Sequence, residues 1–204
     1  SEQQQLTGQI GQRLTGYVTQ LELAARMVQV TPEDLVLRTL TQQRPEYISA
    51  LITDARGNVL SFYKDDLPDS ARAGNNVSDR AYFTEPLRTG KSYISDTFIG
   101  RNLGQDPLFA VSTPLPGESF QGVLEVSVNL AELTSAIEPT VTSISHRILL
   151  DGQQKKIWGT ADDRPLGQPW SVSSGSDPMP RAFLRDSWFN NFGPIILSKD
   201  SKHL

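Results

Sequence analysis

The chain has 204 residues, 37% of them hydrophobic and 21% charged, with a formal net charge of −4 and a pI near 5.2. That length admits one ample core or two small ones, and the acidic balance argues against a nucleic-acid partner, which needs a basic face. The absence of cysteine removes disulfides, thiolate nucleophiles and most structural zinc sites, and no apolar run approaches the roughly 18–20 residues of a membrane span.

From residue 3 to 30, apolar side chains fall at Leu6, Ile10, Leu14, Tyr17/Val18, Leu21, Ala24/Ala25 and Val28. These three- and four-residue steps mark one face of a long helix. Such a helix can lie along its own domain, pair with a second copy through the free part of its stripe, or do both. A chain that starts SEQQQ in helical register is expected to be the excised ectodomain of a membrane parent. Thr31-Pro32-Glu33-Asp34 then reads as a helix start, with Thr31 as N-cap, proline in the first turn and two acids favoured by the dipole. Arg44-Pro45 ends that second helix.

Tyr47–Thr53 and Val59–Tyr63 read as strands joined by the Asp54-Ala55-Arg56-Gly57-Asn58 turn. Residues 64–76 read as a loop, either a plain surface loop or the cover of a site. Asp79-Arg80-Ala81-Tyr82-Phe83 opens a short helix, and strand-like runs follow at 92–95, 108–115 and 120–128. Pro116-Gly117-Glu118 supplies the turn between the last two. A short helix at 131–137 leads to a Thr/Ser-rich linker at 140–145. A second hairpin, 146–150 and 155–158, turns on Asp151-Gly152-Gln153. Beyond it, 181–189 is expected as a helix and 195–198 as a strand.

The most telling side chain is Arg80. A guanidinium presents its donors in a fixed fork that matches a carboxylate bidentately, and Tyr82 adds a phenolic donor. Two residues apart on a helix they diverge by about 200°, so they share a ligand only if the helix end is bent or the ligand lies across its N-terminus. Arg101 is a second cation within reach of the sheet. Either arginine meets a ligand or pairs with Asp79 or Asp96. Ser112 and Ser127 sit mid-strand, where each either lines a pocket or is simply a small buried polar group of a sheet, and Tyr93, alternating with Ile94, either faces the pocket or turns from it. The expected face therefore offers hydroxyls and no carboxylate. No catalytic or metal site is indicated: His146 and His203 are far apart, there is no phosphate-binding glycine loop or nucleophile elbow, and Asp65-Asp66 and Asp162-Asp163 read as solvated loop pairs.

Taken in order, Ser78-Asp79-Arg80 with Tyr82-Phe83, then Tyr93-Ile94-Ser95-Asp96, Ile99-Gly100-Arg101 and a hairpin closing on Gly122-Val123-Leu124, resemble the core of a Cache domain, a PAS-like extracytoplasmic sensor. The resemblance covers about a third of the chain closely. It implies an α+β fold: a five-stranded antiparallel PAS-like sheet with a long N-terminal helix, plus a smaller second α+β module, as in an abbreviated double Cache. The implied division is a helical segment at 1–45, the sensor module at 46–139 and the second module at 140–204. The implied function is the ligand-sensing ectodomain of a bacterial membrane receptor with a histidine kinase, diguanylate cyclase or chemoreceptor output, periplasmic and not itself an enzyme. The other reading is a structural or dimerisation module with a vestigial pocket. In amino-acid-binding Cache domains an R-x-W-Y motif holds the ligand carboxylate, and Arg80-Ala81-Tyr82-Phe83 occupies its place. Their G-V-x-x-x-D pattern supplies an aspartate for the ligand amine, whereas Gly122-Val123 leads here to Ser127. The expected ligand is therefore a small carboxylate or similar anion, held by Arg80, Tyr82, Tyr93, Arg101, Ser112 and Ser127, with no cofactor and no metal. The expected macromolecular partner is a second copy, joined through the N-terminal helix.

Overall fold

A computed structural model describes residues 2–67, 74–100, 106–137, 146–159, 165–169, 181–182 and 192–198. The chain forms two compact units, one of Leu14–Ser95 with Phe109–Asn129, the other of Ser1–Arg13, Asp96–Leu108 and Leu130–Leu204.

The first unit is built on an antiparallel sheet covered by helices. Helix α1 (Glu2–Met27) enters it at Leu14, and α2 (Glu33–Thr41) follows after a short turn. Thr31 does not cap α2. Its N–H donates to the Met27 carbonyl at 2.9 Å, so it closes the end of α1, and Pro32 stands at the N-cap without a side-chain cap. The strands are β1 (Tyr47–Thr53), β2 (Val59–Tyr63), β3 (Tyr93–Ile94), β5 (Pro107–Pro114) and β6 (Val123–Asn129), in the order β2-β1-β6-β5-β3. The two-residue β4 (Phe98–Ile99), which no alternating run announces in the sequence, belongs with Asp96–Leu108 to the second unit and pairs there with the start of β5, Phe98 opposite Leu108. All pairs with a defined register are antiparallel, as the five-stranded PAS-like expectation requires, with β4 added.

Antiparallel partners share a face. Tyr47, Ala50 and Ile52 stand opposite Val128, Val126 and Leu124 on one face, and there Tyr17 of α1 meets the Tyr47 ring at 5.4 Å and the Phe109 ring at 6.3 Å between centroids. Ile10, Leu14, Val18, Leu21 and Ala25 are buried along the same helix. The stripe considered for pairing with a second copy is thus consumed by the chain's own core from Ile10 to Leu21; the side chain of Leu6 lies outside the described residues. Each such leucine contributes about 1.5–3 kcal/mol by leaving water, which offsets the intrinsic weakness of a helix containing three glycines. At one of these, Gly16, a Cβ would sit 3.0 Å from Nη2 of Arg44, so a larger residue there would need that guanidinium to shift by a few tenths of an ångström. That guanidinium lies over the Tyr17 ring, 5.1 Å from its centroid, and its Nε donates to Gln20 at 2.9 Å. Helix α2 covers the outer strand of the same face, where Ser61 donates to Glu33 and Arg38 lies over Tyr63.

The β1–β2 turn is held by Asp54, whose carboxylate accepts the N–H groups of Arg56 and Asn58 and the Asn58 side-chain amide, each at 2.9 Å. Gly122 precedes β6 at φ +113, and a Cβ there would lie 2.1 Å from the Thr53 carbonyl oxygen. Only glycine lets β6 close on β1 at that point.

In the second unit α4 (Leu130–Ile137) packs against β8, and a four-stranded sheet runs β8-β7-β10-β9, from β7 (His146–Asp151), β8 (Lys156–Gly159), β9 (Arg181–Ala182) and β10 (Phe192–Ser198). Its pairs are antiparallel, with Leu130, Leu133, Ile137, Leu149, Leu150, Ile157 and Trp158 buried. Arg181 and Ala182, expected to open a helix, instead pair with Ile196 and Ile195 as a strand; 183–189, the linker at 140–145 and the Asp162-Asp163 pair lie outside the described residues.

Candidate functional site

The face of the first sheet opposite α1 and α2 is where the chemistry gathers. Register puts Leu51 against Phe62 and Glu125, and Ser49 against Ser127. On β5, Phe109 faces Tyr17, so Ser112 points the other way, and Tyr93 of β3 stands directly opposite it. Three of the residues expected at the site, Tyr93, Ser112 and Ser127, are therefore brought to one face.

The electrostatics of that face differ from the expectation. Glu125, two residues before Ser127 and hence on the same side of β6, is 1% exposed, and the Ser127 hydroxyl donates to its Oε1 at 2.7 Å. A face expected to carry hydroxyls alone carries a buried carboxylate. The signal was present in the sequence: strand alternation places Val123, Glu125 and Ser127 together. Sequence reasoning looked for an acid at the position of Ser127 itself and passed over its neighbour. Ser112 is fully buried, and its Oγ meets no hydrogen-bond partner among the described residues. A buried hydroxyl left without a partner costs about 1–3 kcal/mol.

Helix α3 (Ala81–Thr89) packs against β3 and β6, with Phe83 edge-on to Phe120 at 5.5 Å. Arg80 is its N-cap, in extended backbone at φ −88, ψ 141, half-buried, with no acid in the first turn. Because Arg80 is not itself helical, the 200° divergence from Tyr82 does not apply. Tyr82, the second helical residue, is buried. Gly90 ends the helix in the left-handed region at φ 69. Arg101 lies outside the described residues, as do 68–73 of the 64–76 loop. Its return limb is anchored on the β1–β2 turn, with Val59 N–H to Asn75 and Val77 N–H to Gly57, each at 2.8 Å. Lys64 pairs with Asp66, and Tyr63 donates to Asp65, so that acidic pair is engaged locally.

A cavity of about 250 Å³ lies elsewhere in this unit, in the helix layer between α1 and α2. Leu23, Ala24, Met27, Leu35, Val36 and Leu40 give it apolar walls. Beneath the same layer Tyr17 donates to the buried Glu46 at 2.6 Å, and Tyr47 donates to Gln20 at 2.5 Å. No helix among the described residues is long and apolar enough to cross a membrane, and they contain no cluster of three potential metal ligands.

No protein-family model matches the chain. A curated relative, a citrate (Re)-synthase of Syntrophus aciditrophicus (strain SB), is 24% identical over 137 residues, 64% of this chain; the chain spans about a fifth (21%) of that protein's length. Among solved structures, an extracellular ligand binding receptor from Desulfohalobium retbaense DSM5692 superposes with a TM-score of 0.72 at 14% identity, over 96% of this chain and 40% of that one. The ligand-binding domain of the Pseudomonas fluorescens chemoreceptor CtaA, solved with L-valine, gives 0.70 at 16% identity over 96% of this chain and 93% of that one. The sensory domain of the Campylobacter jejuni chemoreceptor Tlp3, solved with isoleucine, gives 0.62 at 11% identity over 78% of this chain and 67% of that one. At these identities the likeness is one of architecture. The chain has the fold of Cache-type sensor domains.

Proposed function

We propose that the chain is an extracytoplasmic ligand-sensing domain of a bacterial membrane receptor, and that its ligand is a small carboxylate that also carries an ammonium group, as an amino acid does. The observation that carries this reading is Glu125. Its carboxylate is buried, with the Ser127 hydroxyl donating to Oε1, on the face that also bears the Ser112 hydroxyl, which meets no hydrogen-bond partner among the described residues. A ligand ammonium complements the negative charge that Glu125 places on this face. Arg80, at the N-terminus of α3 where the helix dipole favours negative charge, receives the ligand carboxylate, and Tyr93 borders it. The acid replaces, two residues earlier, the counter-charge missing at Ser127, so a plain anion is the poorer ligand. The L-valine and isoleucine complexes of the CtaA and Tlp3 domains are consistent with this class.

The parent is anchored in the inner membrane and passes the signal to a kinase, cyclase or chemoreceptor output. Self-association through α1, if used by the receptor, falls to its exposed Leu23 and Met27. The second reading, a structural module with a filled site, rests on the burial of Tyr82 at 5% exposure. Calorimetric titration with an amino acid and with its 2-hydroxy-acid counterpart separates the two. The amino acid should bind about a hundredfold more tightly, and Glu125→Gln should remove most of that preference. Equal affinity for both compounds would refute the role of Glu125; the absence of binding across the common amino acids would favour the structural module.

A further inference from the structure

In the second unit, the turn of the β7–β8 hairpin grips the segment that follows β3. Asp151, fully buried at the turn, accepts the N–H groups of Gln153 and Lys155 through Oδ1, each at 2.9 Å. Its Oδ2 reaches out of the hairpin to accept the Thr97 N–H at 2.8 Å. In return the Gly152 N–H donates to Asp96 Oδ1 at 3.1 Å, and Lys155 Nζ donates to the Thr97 carbonyl at 2.9 Å. Three hydrogen bonds thus fasten two consecutive residues to one turn, and the clasp brings the carboxyls of Asp96 and Asp151 to the same junction. Within the hairpin alone Asp151 would be satisfied by its own turn; the reach to Thr97 and the approach of Asp96 are additional.

We propose that this junction is a proton-operated latch, in which protonation of Asp96 fastens the segment after β3 to the β7–β8 turn and ionisation loosens it. Two carboxylates on one clasp repel when both are charged, and a proton on the half-buried Asp96 removes that repulsion. Burial, and then the charge of Asp151, push the Asp96 carboxyl up to about 6, against the opposing pull of Lys155. Those two are the charged groups acting on it from the hairpin. On its own segment, residues 95–100, there is no other charged side chain. A carboxyl raised in the folded state stabilises the clasp fully below its ordinary value near 3.8 and loses that contribution as pH rises through about 6. The latch therefore closes on mild acidification, and it does so whatever the ligand of the first unit. Its position matters because Asp96 lies three residues beyond Tyr93, so the fastened segment is the direct continuation of β3.

The test is amide hydrogen exchange of the whole chain between pH 5 and 7.5, corrected for intrinsic exchange and read at Thr97 and Gly152. The opening equilibrium at both amides should rise about tenfold over that range, the equivalent of one unit of pKa difference in a part-exposed group, with its midpoint near 6. Asp96→Asn, neutral at every pH, should flatten the profile. Lys155→Met, which removes the opposing cation, should move the midpoint upward. A flat wild-type profile, a tenfold rise retained in Asp96→Asn, or an unmoved midpoint in Lys155→Met would each overturn the latch.

Discussion

Leu14 decides whether the stripe on α1 belongs to the chain's own core. Its side chain is 2% exposed, on the same helix face as Tyr17, Val18 and Leu21, none of which is exposed at all. Leu14→Ala removes buried methyl groups and leaves a gap between helix and sheet, at a cost of about 2–5 kcal/mol. Taking about 3 kcal/mol, and about 2–4 °C per kcal/mol for a chain of this size, the melting temperature should fall by about 6–12 °C. Leu14→Asp adds an uncompensated buried charge and should leave the first unit unfolded near room temperature. Circular dichroism melts at two protein concentrations a hundredfold apart provide the assay, because loss of an intrachain core shifts Tm equally at both. A folded Leu14→Asp protein with an unchanged Tm and a reduced sedimentation coefficient would refute the reasoning, since it would make the stripe an interface between copies.

Tyr17→Phe removes the buried hydrogen bond to Glu46 and should cost about 1.5–3 kcal/mol in urea unfolding; a change below about 0.5 kcal/mol would show that the bond does not hold α1 to the start of β1. Gly122→Ala should fail to accumulate as folded protein or should lose several degrees in Tm, because its Cβ would overlap the Thr53 carbonyl; a wild-type melt would show that β6 can close on β1 without glycine. The Asp54 carboxyl is held below its ordinary value, first by the side-chain amide of Asn58. A lowered carboxyl contributes stability above its unfolded value near 3.8 and loses it as pH falls through the depressed one. Asp54→Asn should therefore destabilise at pH 6 and converge on wild type near pH 2, and a difference independent of pH would count against the turn carboxylate.

The sheet was legible because runs of bulky and β-branched residues bounded by turn residues mark strands, and β1, β2, β5 and β6 each carry such a run over five residues or more. β4 was not, since two residues carry no period, and it exists because Phe98 and Ile99 find the edge of β5. The apolar stripe of α1 was plain, but a stripe does not say whether it meets its own sheet or another chain; the rings of Tyr47 and Phe109 against Tyr17 do. Thr31 looked like a cap because its residue type and the proline after it fit one. The backbone instead used its N–H to finish α1, a competition between two adjacent helix ends that composition cannot weigh. At the site, Ser112 and Ser127 were legible from their mid-strand positions and Tyr93 from its alternation with Ile94, and Glu125 was missed although period-two alternation with Ser127 marks it. A search for an acid at a fixed position overrode the simpler count of two.

The most direct test of the sensing role is the thermal unfolding of the wild-type domain and of Arg80→Ala, each with the common amino acids one at a time. At a hundredfold excess over the dissociation constant a ligand adds about 2.7 kcal/mol, or roughly 5–10 °C at about 2–4 °C per kcal/mol. We expect at least one amino acid to raise the wild-type Tm by that amount and to leave Arg80→Ala unmoved. No shift with any of them, or an equal shift in Arg80→Ala, would contradict it.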